Sequence, residues 1–502
     1  MNLAPQHTIG EEELEAGLHR LVNEAVYSSA TTALTSGVIL TAFALHLGAS
    51  NIMIGVLASA PFLAQLLQGP AILLVERLRQ RKRIAVISSV LGRSMLALMA
   101  LAAFLPPPLA MGLVVLGQFV LCGMGAIGSC AWNAWLRDMA PQERLGNIFA
   151  RRTVLATIVA LLAGLAAAIT LDRAPAESSA RSILFGALYL VGCVAGLTSA
   201  VVVSRMPEPE MPPRPAEPLG LFALLREPLQ NRNFRRLVMF LSSWQFAVNL
   251  ATPFFTVFLV RQLGFDMTFV MILSVVSQIA NLLALRHWGT LSDTFANKSV
   301  LAVTAPTYIL CIVGMIGASQ IDSRMWQIVY LVFLHFYMGG AVAGVTLATT
   351  NIALKLSPKG SATAYVATSA FASAFAAGIA PILGGLFADF FAARRFDLLI
   401  RWTSPEGVVL LSPLKLSNWD FYFIIAAVLG LYAIHRLSLV EEHGEIERRE
   451  MVQQVLHQTR RTVRNLSTVA GLRAITELPA ALTRDARLRV RWRRRQARKA
   501  AR

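Results

Sequence analysis

Charge is scarce in this chain. Only 15% of its 502 residues are Asp, Glu, Lys or Arg, and the mean hydropathy is +0.57. An ordinary soluble domain carries about 25% charged residues, so much of this surface must face something other than water. Cysteines number four (Cys122, Cys130, Cys193 and Cys311) and all fall inside apolar runs, which reads them as small core residues and excludes a disulfide framework. No metal-ligand spacing is present, so neither metal nor cofactor is expected. The chain has no phosphate-cradling glycine loop, which excludes ATP-driven work. It also has no constellation of nucleophile, base and acid, so no enzyme is expected. A basic leader is missing too: the N-terminus carries Glu11, Glu12, Glu13 and Glu15 and does not read as a signal peptide.

What the chain has is apolar sequence in runs of roughly twenty residues, long enough to cross about 30 Å of hydrocarbon as helix. The runs do not alternate in polarity, which excludes barrel strands. The pattern predicts an all-α membrane protein with twelve spans. The first six are Ala25–Leu47, Ile52–Val75, Ile84–Phe104, Leu109–Leu136, Thr153–Leu171 and Ile183–Val203. The second six are Leu237–Val260, Phe269–Leu285, Val300–Ala318, Trp326–Leu354, Ala362–Phe387 and Phe421–Leu437. Two six-span halves (25–203 and 237–437) therefore flank a linker (204–236), with an N-terminal segment (1–24) before them and a tail (438–502) after. Thr8 with Glu11 reads as a capping box. Leu14, Leu18 and Leu21 then form one stripe, which predicts a short interfacial helix.

The net charge of +18 lies in loops and tail beside the spans, which argues for the anionic inner leaflet rather than nucleic acid. Even-numbered loops are basic: Arg77, Arg79, Arg81, Lys82 and Arg83 follow span 2, and Arg137, Arg144, Arg151 and Arg152 follow span 4. About twenty basic residues fall on that side and about eight on the other, so both termini are expected in the cytoplasm of a bacterial-type inner membrane. Pro207, Pro209, Pro212, Pro213, Pro215 and Pro218 predict a stiff linker, after which Leu219–Leu225 is suited to the membrane surface. Arg491, Arg493, Arg494 and Arg495 end a helical-patterned tail suited to anionic lipid.

The halves repeat faintly. Span 4 ends Asn133-Ala134-Trp135-Leu136-Arg137 with Pro141 beyond, and span 10 ends Asn351-Ile352-Ala353-Leu354-Lys355 with Pro358 beyond. Gly289-Thr290-Leu291-Ser292-Asp293, then Asn297-Lys298, resembles the signature loop of the major facilitator superfamily. That loop follows the second helix of the family and recurs after the eighth. The first copy here is degraded: Glu76-Arg77 and Arg81-Lys82 survive, but Ile72 replaces the glycine. Asp138, Pro141, Arg144 and Arg151-Arg152 also resemble the family's loop after helix 4. The resemblance implies two halves rocking about a midplane site, with Glu76, Arg77, Gly289 and Asp293 in gating loops. Two features depart from it. Phe119 stands where many proton-driven members have arginine, and span 5 lacks the proline of the antiporter signature.

Polar side chains at mid-depth are expensive and therefore informative. Arg93, Gln118, Gln245, Gln278 and His335 lie there. Trp244 and Asn249 sit beside Gln245, and Asn281 shares a face with Gln278. Arg93 suits a bidentate hold on an anionic group, and equally a structural tie between helices. The amides suit either substrate or interhelical hydrogen bonds. Glu24 and His335 are the candidate proton carriers, against the plainer readings of a solvated acid and a core histidine. Ser404-Pro405-Glu406-Gly407 between apolar stretches predicts a hairpin between spans 11 and 12. The expected function is secondary transport of a small solute by alternating access, an anionic or amphiphilic organic solute or a drug for export, by a monomer. The alternative is a non-transporting membrane scaffold or sensor.

Orientation has a direct check. In a variant freed of native cysteines, Pro213→Cys should resist a membrane-impermeant maleimide in intact cells and react once the cells are permeabilised. Labelling from outside would reverse the assignment.

Overall fold

The computed structural model describes residues 5–7, 9–139, 142–175, 179–211, 221–358, 362–404, 407–417 and 419–442. Thr8, Pro141, the prolines from Pro212 to Pro218 and the basic tail lie outside them. Among the described residues, eleven helices are long and apolar enough to cross a membrane, and a pair bent by 41° supplies a twelfth. Span 1 is Glu11–Thr35 with Val38–His46, and span 2 is the bent pair Asn51–Gln65 and Gln68–Leu78. Spans 3 to 6 are Arg81–Ala102, Pro107–Met139, Gln142–Arg173 and Ser179–Ser204. Span 7 begins at Arg232 and loosens at Thr252-Pro253, where the proline removes a backbone donor, and reaches Gln262 through a π-helical turn. Spans 8 to 12 are Met267–Thr294, Asn297–Ser319, Arg324–Lys355, Ala362–Phe391 and Trp419–Ser438.

Within the first half, span 3 packs on spans 4 and 6, and span 1 on spans 5 and 6. In the second half, span 10 packs on 8 and 9, and span 7 on 11 and 12. The halves meet along two seams that the repeat makes equivalent, span 2 on span 11 and span 5 on span 8. Close approach along the first seam requires glycine. A Cβ on Gly55 would lie 2.1 Å from the Pro381 carbonyl oxygen, and one on Gly385 would lie 2.5 Å from that of Asn51.

Two expectations need correction. Span 1 begins at Glu11 with Gly10 at its cap and no side-chain cap, so no capping box forms there. The N-terminal stripe is not a separate interfacial helix. Glu11–Thr35 is continuous, and Leu18 and Leu21 are buried against Val75, Ile84, Trp135 and Met206, because these apolar protein surfaces cover the stripe in place of lipid. The first part of the linker docks on the first half and the N-terminal segment. Trp135 Nε1 donates to the Pro207 carbonyl at 2.9 Å, Arg79 donates to that of Met211 at 2.7 Å, and Gln6 N donates to that of Glu208 at 2.8 Å. Further along, Leu221–Gln230 is a helix packed on spans 7 and 11. The hairpin is present and longer than the sequence predicted. β1 (Arg395–Ser404) pairs antiparallel with β2 (Gly407–Ser417), with Phe396 opposite Leu416 and Leu398 opposite Leu414.

Four helix N-termini borrow their caps from distant carboxylates. At the linker end, Glu208 accepts from Arg81 N at 2.7 Å at the start of span 3. Glu442 accepts from Asn297 N at 3.3 Å and Lys298 N at 2.7 Å at the start of span 9. Each acid lies four residues past the last helical residue of its half, Ser204 and Ser438, so the arrangement obeys the repeat. At the hairpin end the caps cross between halves. Asp389 of span 11 accepts from Ile52 N at 3.2 Å and Asn51 Nδ2 at 2.8 Å. Asp172 of span 5 accepts from Met267 N at 3.0 Å and Thr268 N at 2.6 Å. Arg261 of span 7 adds a bond to the Ala49 carbonyl at 2.9 Å. The polar contacts that join the halves therefore gather at the hairpin end.

Glu208 also pairs with Arg81, which is 1% exposed and bonds Asp138 and the Pro209 carbonyl. Burial pushes the Glu208 carboxyl up from its ordinary value, against the pull of the Lys82 and Arg81 N–H groups and the Arg81 charge. Breaking such a buried pair from one side strands the other charge, at a cost of about 3–5 kcal/mol. Arg81→Met should therefore lower the melting temperature sharply, and adding Glu208→Gln should recover part of the loss. Additive losses in the double variant would show that the two residues act separately.

The crossing caps predict a gate. Asp172→Asn and Asp389→Asn keep an acceptor but remove its charge, so each should shift the population about tenfold toward a state open at the hairpin end. Thiol reactivity of a cysteine placed at Thr268 in the Asp389→Asn background reads this directly. Unchanged reactivity would remove the latch role.

Candidate functional site

Span 3 carries Arg93 twelve residues beyond Arg81, roughly 18 Å along the helix and near mid-depth. Its guanidinium crosses to span 6, where Nη1 donates to the Gly196 carbonyl at 2.6 Å, and Nη2 donates to Ser28 Oγ of span 1 at 3.3 Å. Gly196 makes room for this, since a Cβ there would meet Arg93 Cδ at 2.8 Å. Arg93 ties three helices together, and it faces a cavity of about 280 Å³ lined by spans 1, 3, 4, 5 and 6.

The same cavity holds Glu24, 6% exposed, and Arg152. Arg152 Nη2 donates to Glu24 Oε2 at 3.0 Å, and Ser199 Oγ donates to Glu24 Oε1 at 3.2 Å. Glu24 is therefore not a solvated acid at the interface but a paired carboxylate among three helices. Ser88, Ser89, Ser129 and Trp132 complete the polar lining. Two guanidinium groups and one carboxylate leave this chamber with one excess positive charge. Such a charge is tolerated at depth when it is paired or hydrated, and it attracts an anion.

Arg152 was missed as a site residue. Within the sequence it belongs to a basic pair after span 4, and only the length of span 5, which begins at Gln142, carries it alongside Glu24. Ser199 carried no signal at all. The remaining candidates do not join this cavity. Gln118 is buried on span 4, donating to Cys122 Sγ at 3.4 Å, and its Oε1 has no partner among the described residues. Asn249 Nδ2 donates to Gln245 Oε1 at 3.1 Å, which ties one end of each amide to the other, while Trp244 packs on Tyr308 with centroids 5.9 Å apart. His335 is buried on span 10 with Nδ1–H donating to the Leu331 carbonyl at 2.9 Å. Gln278 is exposed and Asn281 half-buried on span 8. Glu76 and Arg77 end span 2, and Gly289 and Asp293 lie at the linker end of span 8, Asp293 on its exposed surface.

Solved structures of transport proteins share this shape. The chain superposes on a nucleoside transporter, NupG, with a TM-score of 0.61 at 14% identity, covering 85% of this chain and 99% of that one. A bacterial homolog of the human lysosomal transporter Spinster, inward-facing and unoccupied, gives 0.60 at 14% identity over 86% of this chain and 98% of that one. A D-xylose–proton symporter gives 0.58 at 14% identity, covering 87% and 98%. At these identities the likeness is one of fold. No curated protein matches the chain. The family model of the Major Facilitator Superfamily matches residues 25–381, well over half the sequence, and with the twelve-span architecture it makes this chain a member of that superfamily.

Proposed function

We propose that the protein carries a small organic anion by alternating access, with Arg93 and Arg152 holding the anionic group and Glu24 responding to protons. The observation that carries this reading is the single charged cavity formed by Arg93, Arg152 and Glu24 inside one half of a two-half bundle. When Glu24 is ionised it occupies Arg152. Protonation releases that guanidinium and raises the cavity's charge, so a proton and an anion favour each other's entry. The crossing caps of Asp172 and Asp389 hold the hairpin end shut in this state, and we take the linker end to be the open, cytoplasmic one, on the charge bias of the loops. Asp293, exposed at that end, is then the group available to close it in the opposite state. The basic tail is assigned to anionic lipid, and the transporter to a monomer in the cell membrane.

Arg93 decides the case. Arg93→Lys keeps the charge but loses the planar fork, so anion affinity should fall tenfold or more, by about 1.4 kcal/mol at least, while the empty protein stays folded. Glu24→Gln should leave counterflow exchange intact but abolish the dependence of net uptake on pH. Melting curves without solute and binding isotherms on the same purified variants separate the readings. A large loss of stability with affinity preserved in the folded fraction would make Arg93 a structural tie only.

A further inference from the structure

A second cavity of about 360 Å³ opens beside the first, at the seam between spans 1 and 5 of one half and span 8 of the other. Ser28 lines both, so the two cavities adjoin at that side chain. The second cavity's lining is rich in hydroxyls, with Ser28, Ser29, Thr32 and Ser36 from the span 1 region and Ser274 from span 8. Thr32 Oγ1 donates to the Ser28 carbonyl at 3.1 Å and Ser274 Oγ to the Val270 carbonyl at 3.1 Å. The protons of these two are thus used within their own helices, and what they offer the cavity is oxygen lone pairs. Such acceptors call for a guest with O–H or N–H donors. Leu161 and Met271 add apolar surface for C–H faces.

On the reading that Arg93 holds the anionic group, we propose that the solute's body occupies this seam cavity. The carried species is then an organic monoanion with a hydroxylated body. An aliphatic tail would leave the hydroxyl oxygens without donors, and a second anionic group would meet those same lone pairs. The position also has a mechanical meaning. A body in the seam touches Met271 and Ser274 of the second half while its head is held by the first, so occupancy joins the two moving parts.

The test uses the purified full chain and a panel of probes: glycerate as the short anion, gluconate, glucuronate and N-acetylneuraminate as hydroxylated anions with longer bodies, and sorbitol as the neutral polyol. At least one longer anion should raise the melting temperature at millimolar concentration, and sorbitol should not. The near-isosteric pair Thr32→Val with Ser274→Ala should weaken that anion about tenfold while changing glycerate less than about twofold. Arg93→Ala should weaken both anions. Substrate-free melting confirms that each variant is folded. Failure of every longer anion to bind overturns the proposed class. Seam variants that weaken long and short anions equally, or neither, overturn the placement of the body while leaving the anion reading in place. Binding that survives Arg93→Ala but not the seam changes overturns the anion reading itself, and the class with it.

Discussion

A helix that starts at the margin of a bilayer presents backbone N–H groups that its own turns cannot satisfy. Spans 3, 8 and 9 of this bundle have no side-chain cap of their own. Each is capped instead by a carboxylate from another part of the chain, and span 2 receives one in addition to its own Ser50. The interaction combines hydrogen bonding with the positive end of the helix dipole, and it strengthens where water is sparse. Because every cap joins two elements, placing the four acids determines which helices move together. Glu208 and Glu442 bind within halves. Asp172 and Asp389 bind between halves, so on the proposed mechanism they are the contacts a rocking motion would break.

The chemistry follows from that division. The Arg93–Arg152–Glu24 cavity lies entirely within the first half. The seam cavity lies across the boundary, and its shape must change whenever the halves move. On the proposed reading, a fixed charged chamber and a variable hydroxylated one would give the solute a permanent hold and a state-dependent one. Differential contact of this kind is what allows a ligand to shift a conformational equilibrium.

The spans were legible because lipid imposes length and hydropathy on each of them separately. Arg93 and Glu24 were legible for the same reason, as polar residues where apolar ones are the norm. The pairing of Glu24 with Arg152 was not, since 128 residues separate them and Arg152 stands in a basic stretch that looks like any inner loop. Asp172 and Asp389 were invisible as latches, because an acid at the end of a span is ordinary and its partners are N–H groups present in every residue. The break of span 1 at Ser36-Gly37 was hidden within an apolar run, whereas Pro253 marked the bend of span 7 openly. The interfacial reading of the N-terminal stripe failed because a leucine face looks the same whether lipid or protein covers it.

The docking of the linker has a consequence of its own. Arg79 fastens Met211 to the first half, and the helix that follows at Leu221–Gln230 rests on the second, with Thr368 donating to its Leu225 carbonyl. The covalent tether between the two bodies is therefore only the stretch from Met211 to Leu221, whose contour reaches about 35 Å at full extension. Separation at that end beyond the contour would have to peel one anchor away. On the proposed mechanism that contour would set an upper bound on the stroke, and shortening it by enough residues would limit how wide that mouth can open without touching a single residue of either cavity.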